Sequence, residues 1–309
     1  MYTRLYCDVV SYYLYKFLRL YYSASDPSRK RIIVGFRGSV TTKDFLVDAS
    51  AWFKRVPNRM RRFDKKQPRH IKMHAGFHKY LFGETEVTDE EKERLLTVNP
   101  DAMDLVEDEE ITKFDEIMQF HVLPKLQEHP GYQLYVTGHS LGAALATLFA
   151  FRAASIENAD IPKPVSCVSV ASPYVGDKKY RKAFKLAEKM GLIRHLRLSN
   201  HKDAVTIVPF VSLRMLFWKQ SPSVGSLFKH VGVNLKLYKD AKKGYKISYP
   251  SGPSTELARA WGQSFLTNLA GVRTYLTNHG NLEYNDRLEQ SKDELEEMTI
   301  DGLYEKYLN

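Results

Sequence analysis

The stretch Tyr132–Ala150 reads YQLYVTGHSLGAALATLFA and contains the pattern that decides the fold. Its first part, up to Thr137, is rich in β-branched and aromatic residues, which is typical of a buried strand. Its last part is rich in small, helix-forming residues. Between them, Gly-x-Ser-x-Gly predicts a tight turn that projects the hydroxyl of Ser140 outwards, with glycines where strand and helix pass closely. Ser140 is therefore the candidate nucleophile.

The composition is that of a globular protein whose charge is unevenly distributed. The chain has 309 residues, 43% of them hydrophobic, and a net charge of +10. Residues 83–116 hold fourteen Asp and Glu against three Lys and Arg, so the remaining residues carry +21. Such a basic body favours anionic membrane surfaces over nucleic acid, because no nucleic-acid recognition motif accompanies the charge. With only two cysteines, the chain does not resemble a disulfide-stabilised secreted protein.

We expect one domain over residues 1–309, with three less regular parts. Residues 1–30 form an amphipathic segment, in which a helix over Met1–Tyr22 would pack on the protein's own sheet or attach to a membrane interface. That helix lacks the apolar length of a membrane span and the cleavage site of a signal peptide. An intracellular location, cytoplasmic or peripheral to a membrane, is therefore favoured over secretion. Residues 83–110 are an acidic insertion, and residues 285–309 are a C-terminal helical tail.

Short buried strands alternate with helical segments along the chain. Besides the strand before Ser140, the pattern predicts strands at Arg31–Phe36, Pro164–Ala171 and Ile193–Leu198. This alternation predicts an α/β fold with a mostly parallel central sheet flanked by helices, the architecture in which such serine turns occur.

The connecting segments carry their own predictions. Turn residues dominate Ser23–Arg31, and a basic surface loop without hydrophobic periodicity is expected over Lys54–Lys72. Helical periodicity predicts a helix over Ile111–Glu128. The apolar segment Val205–Trp218 is a candidate for an acyl-chain site, for a rim that binds a lipid interface, or for the core.

The strand that ends at Gly38 and Ser39 is a suitable place for a donor to a developing oxyanion. Ser39 can offer its backbone N–H and hydroxyl, and Leu141, which follows the nucleophile, can offer its backbone N–H. The next segment, residues 43–53, is expected to be either a lid over an apolar site or a helix packed on the core. Its candidate lid residues are Phe45, Trp52 and Phe53.

A serine nucleophile needs a base and an acid, which in this architecture follow it in loops after strands, the acid first. Asp203 fits the acid because it lies directly beyond the Ile193 strand, whereas Asp177 begins a helix and is expected to cap it. For the base, position in the chain favours His279, the last of the four histidines that follow Ser140, with His230 as its rival. These histidines are His195, His201, His230 and His279.

Several ordered motifs together resemble the class 3 lipases, the fungal triacylglycerol-lipase type within the α/β-hydrolases. The matching stretches are Phe36–Ser39 with Asp44 and Asp48, His74–Phe77, Gly138–Gly142, Ser172–Asp177, Asn200–Pro209, and His279 with Tyr284. The resemblance covers the chain between Arg31 and Tyr284 apart from the acidic insertion. It implies an α/β-hydrolase fold in which Ser140 is the nucleophile, Asp203 the acid and His279 the base. It also implies an oxyanion hole at Ser39 and Leu141, and a structural role for His230.

The resulting expectation is hydrolysis of acylglycerol-type lipid esters through an acyl-enzyme, with no metal or organic cofactor. Phospholipase A1 activity or hydrolysis of small esters would use the same three residues and stays open, as does a non-catalytic lipid-binding role. The expected partners are the lipid ester and the surface of a membrane or lipid droplet. Neither nucleic acid nor an obligate protein partner is expected.

Overall fold

We obtained a computed structural model of the chain, which describes residues 21–38, 53–86, 92–93, 96–97, 110–203, 205–207, 228–249 and 277–308. Several sequence predictions lie outside these residues. They are most of the amphipathic segment 1–30, Ser39, Phe45, Trp52, the interior of the acidic insertion and most of the apolar segment Val205–Trp218. Within the described ranges, no helix has both the length and the apolar character that a membrane crossing requires.

A seven-stranded sheet organises the described structure. In chain order, the strands of this sheet and of two smaller pairs are β1 (Tyr21–Asp26), β2 (Arg31–Phe36), β3 (Phe53–Pro57), β4 (His70–His74), β5 (Glu84–Glu86), β6 (Glu110–Thr112), β7 (Gln133–His139), β8 (Val165–Val170), β9 (Ile193–Asn200), β10 (Val233–Leu237) and β11 (Tyr245–Ser248). The large sheet has the order β1-β2-β7-β8-β9-β10-β11. Its five inner strands are parallel to one another, and the edge strands β1 and β11 are antiparallel to their neighbours. The predicted mostly parallel sheet is therefore confirmed.

Helices cover both faces of this sheet. They are α1 (Ala75–Phe82), α2 (Lys113–Glu116), α3 (Leu123–Glu128), α4 (Leu141–Ala154), α5 (Lys178–Lys189), α6 (Asn281–Gln290), α7 (Lys292–Glu296) and α8 (Ile300–Leu308). Helices α1 to α5 share one apolar core with β2 and β7, and α6 to α8 share a second with β9 and β10. Alternate residues of the inner strands supply the two cores, because successive side chains of a strand point to opposite faces.

Two connecting segments are more ordered than the sequence predicted. Residues 23–26, expected in a turn, continue the edge strand β1, and the turn itself is a short 3₁₀ helix at Pro27–Arg29. The expected basic loop is the antiparallel pair β3–β4, in which Val56 lies opposite Ile71. Exposed basic residues separate the few inward-facing apolar side chains of this pair, so the two strands show no apolar pattern in the sequence.

The acidic insertion begins and ends in a short antiparallel ladder. Glu84 pairs with Thr112, and Glu86 with Glu110, so β5 and β6 join the two ends of the insertion. The prediction of a helix over Ile111–Glu128 is wrong at its start, because Ile111 and Thr112 belong to β6. The helical stretch that follows is interrupted by a π-helical segment at Ile117–Val122. Pro124 in the first turn of α3 lacks an N–H, and a proline prevents continuation of the regular α-helical ladder.

Candidate active site

Ser140 lies at the junction between β7 and α4, where the backbone takes an unusual conformation. Its φ is 57° and its ψ is −124°, a combination that side-chain-bearing residues rarely adopt. Two close approaches force this turn. A Cβ on Gly138 would lie 2.3 Å from the carbonyl oxygen of Gly142, and a Cβ on Gly142 would lie 2.1 Å from that of Phe36. The two glycines therefore permit the contact between strand and helix that the sequence pattern predicted.

The structure brings Ser140, His279 and Asp203 together, although they lie far apart in the chain. Nε2 of His279 is 2.8 Å from Oγ of Ser140. Nδ1 of the same ring is 3.1 Å from each carboxylate oxygen of Asp203. All three side chains are buried. Because Asp203 can only accept from Nδ1–H, Nε2 is left as the acceptor for the serine hydroxyl.

Asp203 is held by donors in addition to His279. The hydroxyl of Tyr284 donates to its Oδ2 over 2.7 Å, and the N–H of Val205 donates to its Oδ1 over 2.9 Å. The Tyr284 oxygen in turn accepts the backbone N–H of Asn200 over 2.8 Å. Burial and the adjacent carboxylate raise the pKa of Tyr284 well above its usual range, so this hydroxyl remains a donor.

His279 precedes α6 and is positioned through its own backbone. Nε2 of His139 donates to the carbonyl oxygen of His279 over 3.0 Å, and the centroids of the two rings lie 4.8 Å apart. Burial, together with the neighbouring His279, lowers the pKa of His139 to about 3, so the His139 ring is neutral and carries its proton on Nε2. His139 occupies the variable position before the serine in the Gly-x-Ser-x-Gly pattern, and the pattern itself does not predict this contact.

The proposed oxyanion donors are described only in part. Leu141 is the first residue of α4, and N–H groups in the first turn of a helix have no partner within the helix. A Cβ on Gly38 would lie 3.4 Å from Cβ of Ser140, so the chain leaving β2 passes beside the nucleophile. Ser39 follows Gly38 but lies outside the described residues, and its role stays a prediction.

The rival residues have other partners. His230 is buried, its Nε2 is 2.7 Å from the carbonyl oxygen of Thr206, and its ring stacks on Tyr174 at 3.7 Å. Asp177 accepts the N–H of Tyr180 at the start of α5 and thereby caps that helix. The remaining two histidines also lie where the sequence placed them, His195 within β9 and His201 just after it.

Phe53 has a different setting from the lid helix considered for residues 43–53. It is the first residue of β3, so a helix that included Phe53 is wrong at this residue, and residues 43–52 lie outside the described part. Its ring stacks on that of Phe228 with centroids 4.1 Å apart, and both belong to a small apolar cluster with Tyr174. The pairing of β3 with β4 fixes this position, which the helical spacing of the aromatic residues could not indicate.

Comparisons with known proteins identify a family and several relatives to which this chain is similar. The model of the lipase (class 3) family matches residues 33–213. The chain is 28% identical over 234 residues to "Galactolipase DONGLE, chloroplastic" of Arabidopsis thaliana, which covers 69% of this chain and 43% of that protein. It is 33% identical over 125 residues to "Phospholipase A1-II 3" of Oryza sativa subsp. japonica, which covers 38% and 25%.

Among solved structures, lipase II from Rhizopus niveus aligns with 76% of this chain and 68% of its own chain, at a TM-score of 0.46 and 23% identity. The chain spans less than half the length of the curated relatives named above. The family match covers more than half of the chain, and the described strands and helices have the arrangement of an α/β-hydrolase. The chain belongs to the class 3 lipase family.

Proposed function

We propose that the chain is a serine carboxylic-ester hydrolase that acts on acyl lipids with Ser140, His279 and Asp203 as its catalytic residues. One observation carries this proposal. An unbroken series of contacts runs from Oγ of Ser140 through both nitrogens of His279 to the carboxylate of Asp203, at a strained turn between strand and helix. This arrangement suits a serine that attacks an ester carbonyl and a histidine that carries its proton.

In the proposed reaction, Nε2 of His279 accepts the proton of Ser140 as Oγ forms a bond to the ester carbonyl carbon. The carbonyl electron pair moves to its oxygen, where N–H of Leu141 and the donors of Ser39 would stabilise it. Collapse of this intermediate breaks the bond to the alcohol, which leaves with the proton from His279. Water then repeats the sequence on the acyl-enzyme, releasing a carboxylic acid and restoring Ser140.

Asp203 keeps His279 in the productive orientation through this cycle. Its two oxygens accept from Nδ1, and they stabilise the imidazolium that forms when the serine proton arrives. Tyr284 acts through Asp203 and not on the substrate, because its hydroxyl contacts the carboxylate and the backbone of Asn200. It is therefore a positioning residue.

The proposed substrates are acylglycerol-type lipids at a membrane or lipid-droplet surface. The names of the relatives, galactolipase and phospholipase A1, favour a second candidate class, polar glycerolipids with a sugar or phosphate head group. The net charge of +21 outside residues 83–116 supports action on an anionic bilayer, since basic protein surfaces are attracted to anionic lipids.

The test compares hydrolysis of p-nitrophenyl esters of increasing chain length, emulsified triacylglycerol, and vesicles of phosphatidylcholine or galactolipid. In Ser140→Ala and His279→Ala, we expect kcat/KM to fall by about 10⁴-fold or more on every active substrate. Preference for the emulsion would assign the neutral acylglycerols, and preference for the vesicles would assign the polar glycerolipids.

The rival base supplies the matched control. His230→Asn removes a buried imidazole that does not contact Ser140, and we expect it to keep most of its activity when thermal denaturation shows it folded. Equal inactivity of wild type and both Ala variants on all substrates would contradict the proposal and favour a non-catalytic lipid-binding role.

A further inference from the structure

A cavity lies at the opposite end of α4 from Ser140. It has a volume of about 470 Å³ and is bounded by the β3–β4 pair, α1, the start of α2 and the end of α4. Ser140 precedes the first residue of α4 and Arg152 lies near its end. At about 1.5 Å per residue, these two positions are separated by roughly 18 Å along the helix. The cavity is therefore separate from the candidate active site.

The floor of the cavity is apolar. Four of its lining side chains are buried aromatic and aliphatic groups from the three elements β4, α2 and α4, namely Ile71, Met73, Phe114 and Phe151. A cavity of a few hundred Å³ with such a lining is suited to a small organic ligand, and its floor can accept an alkyl chain.

The rim of the cavity is cationic. Four of the described lining residues are basic, Lys54, Arg55, Arg59 and Arg152, and the one acidic residue among them is Asp115. At Arg152, burial together with the nearby Arg59 lowers the pKa to about 10, and the charge of Asp115 opposes that shift.

Arg152 also has unused hydrogen-bonding capacity. Its guanidinium carbon lies 5.4 Å from the centroid of the Phe114 ring, and its Nη1 is buried with no hydrogen-bond partner among the described residues. A buried donor without an acceptor costs free energy. Within the described part of the chain, Asp115 is the one nearby acidic group that favours the charged form of Arg152. An anion beside the guanidinium would supply the missing acceptor and a further negative charge.

We propose that this cavity is a binding site for an amphiphile with an anionic head group, a carboxylate or a phosphate monoester, and an alkyl chain. The head group contacts Arg152 and Arg59, and the chain lies against the apolar floor. Guanidinium groups suit this recognition because their fixed fork of donors matches both kinds of head group. The site goes beyond the proposed function, since it uses none of the residues around Ser140.

The experiment is calorimetric titration of the full chain with decanoate and with decyl phosphate, each below its micellar concentration. The double variant Arg59→Gln, Arg152→Gln is expected to weaken the binding of both ligands at least about tenfold, because it removes charge-assisted hydrogen bonds. Binding of only one of the two anions by the wild type, lost in the variant, would identify the head group as carboxylate or phosphate. Arg59 is exposed, so Arg59→Gln alone still tests the site if Arg152→Gln does not fold.

The control is Lys65→Gln, Lys66→Gln, which removes two charges from the segment between β3 and β4 without touching the cavity lining. It should bind both anions as the wild type does. Three results would overturn the proposal: equal loss of binding in the control, unchanged binding in the cavity variant, or equally tight binding of neutral decanol. Because no step depends on hydrolysis, these outcomes are independent of the ester-hydrolase proposal.

Discussion

Two buried carboxylates, Asp203 and Glu188, are held by the same kind of hydrogen-bonded unit near opposite ends of β9. In the first unit, the hydroxyl of Tyr284 donates to Asp203 over 2.7 Å. The same hydroxyl accepts the N–H of Asn200, the last residue of the strand, over 2.8 Å. A tyrosine from α6 thus joins the carboxylate to the strand.

In the second unit, a tyrosine from α8 has the same contacts. The hydroxyl of Tyr304 donates to Glu188 over 2.6 Å and accepts the N–H of His195, near the start of β9, over 2.9 Å. A second hydroxyl, that of Tyr249, donates to the other oxygen of Glu188 over 2.9 Å. This unit joins α5, the sheet and the C-terminal helix.

The units differ in the second side chain that contacts each carboxylate. Asp203 has the imidazole of His279, which continues to Ser140, whereas Glu188 has another tyrosine. Burial raises the pKa of Glu188 to about 7, and its two tyrosine hydroxyls and the charges of Lys185 and Arg194 oppose that rise. The contact between a buried carboxylate and a tyrosine therefore serves packing at Glu188. Only the contact with His279 makes Asp203 a candidate for catalysis.

Replacing each carboxylate by its amide should give the largest difference in kcat between the two units. Asp203→Asn keeps the side-chain shape but cannot accept from Nδ1 of His279 in the same way, so we expect kcat to fall by about 10⁴-fold. Glu188→Gln should retain the wild-type rate. Ester hydrolysis at saturating substrate measures both, and comparable losses in the two variants would show that the units do not differ as described.

The pH dependence of folding should reveal the second unit. Because the pKa of Glu188 is raised from 4.5 to about 7, the folded protein binds a proton more tightly there than the unfolded chain does. Its contribution to stability is therefore present below pH 4.5 and is lost as the pH rises from about 4.5 to 7. At about 1.4 kcal/mol per pKa unit, the loss is on the order of 3 kcal/mol.

Comparison of wild type with Glu188→Gln isolates this effect. Buried neutral histidines such as His195, whose pKa burial lowers to about 3, change stability in the opposite direction as the pH falls. Both proteins share these histidines, so their effect cancels in the comparison. The free energy of unfolding of the wild type minus that of Glu188→Gln should therefore become smaller as the pH rises from about 4.5 to 7. Urea denaturation at each pH measures it, and a constant difference would contradict a raised pKa at Glu188.

The smallest expected effects come from the two tyrosines. Tyr284→Phe leaves one buried N–H without its acceptor and removes a donor from Asp203, which should cost roughly 1–3 kcal/mol of stability and lower kcat about tenfold. Tyr304→Phe should cost similar stability with no change in kcat. Calorimetric melting and steady-state kinetics on both variants supply the comparison. An unchanged kcat in Tyr284→Phe would contradict a positioning role for Tyr284.

Much of the fold could be predicted from local patterns. The alternation of strands and helices predicted the parallel sheet, and the Gly-x-Ser-x-Gly pattern predicted the turn at Ser140. Each of these features depends on residues close together in the chain. The β3–β4 pair could not be predicted in this way, because its cross-strand partners, such as Val56 and Ile71, are separated by a basic segment.

The same limit applies to both sites. Candidate residues for the active site could be chosen from the sequence, because in this fold the acid and then the histidine follow the serine along the chain. The contact from His139 to the carbonyl oxygen of His279 had no sequence signal, since it joins positions 140 residues apart. The cavity at the end of α4 combines Arg59, Phe114 and Arg152 from three elements, and no local pattern relates them.

The most direct test of the central claim is labelling of the chain with a fluorophosphonate, with the modified residue located by peptide mass spectrometry. We expect the label on Ser140 in the wild type and in Glu188→Gln at equal rates. In His279→Ala, without the base, the labelling rate should fall about 10²-fold or more. Absence of label from Ser140 in the folded wild type, or equal rates with and without His279, would contradict a serine nucleophile activated by that histidine.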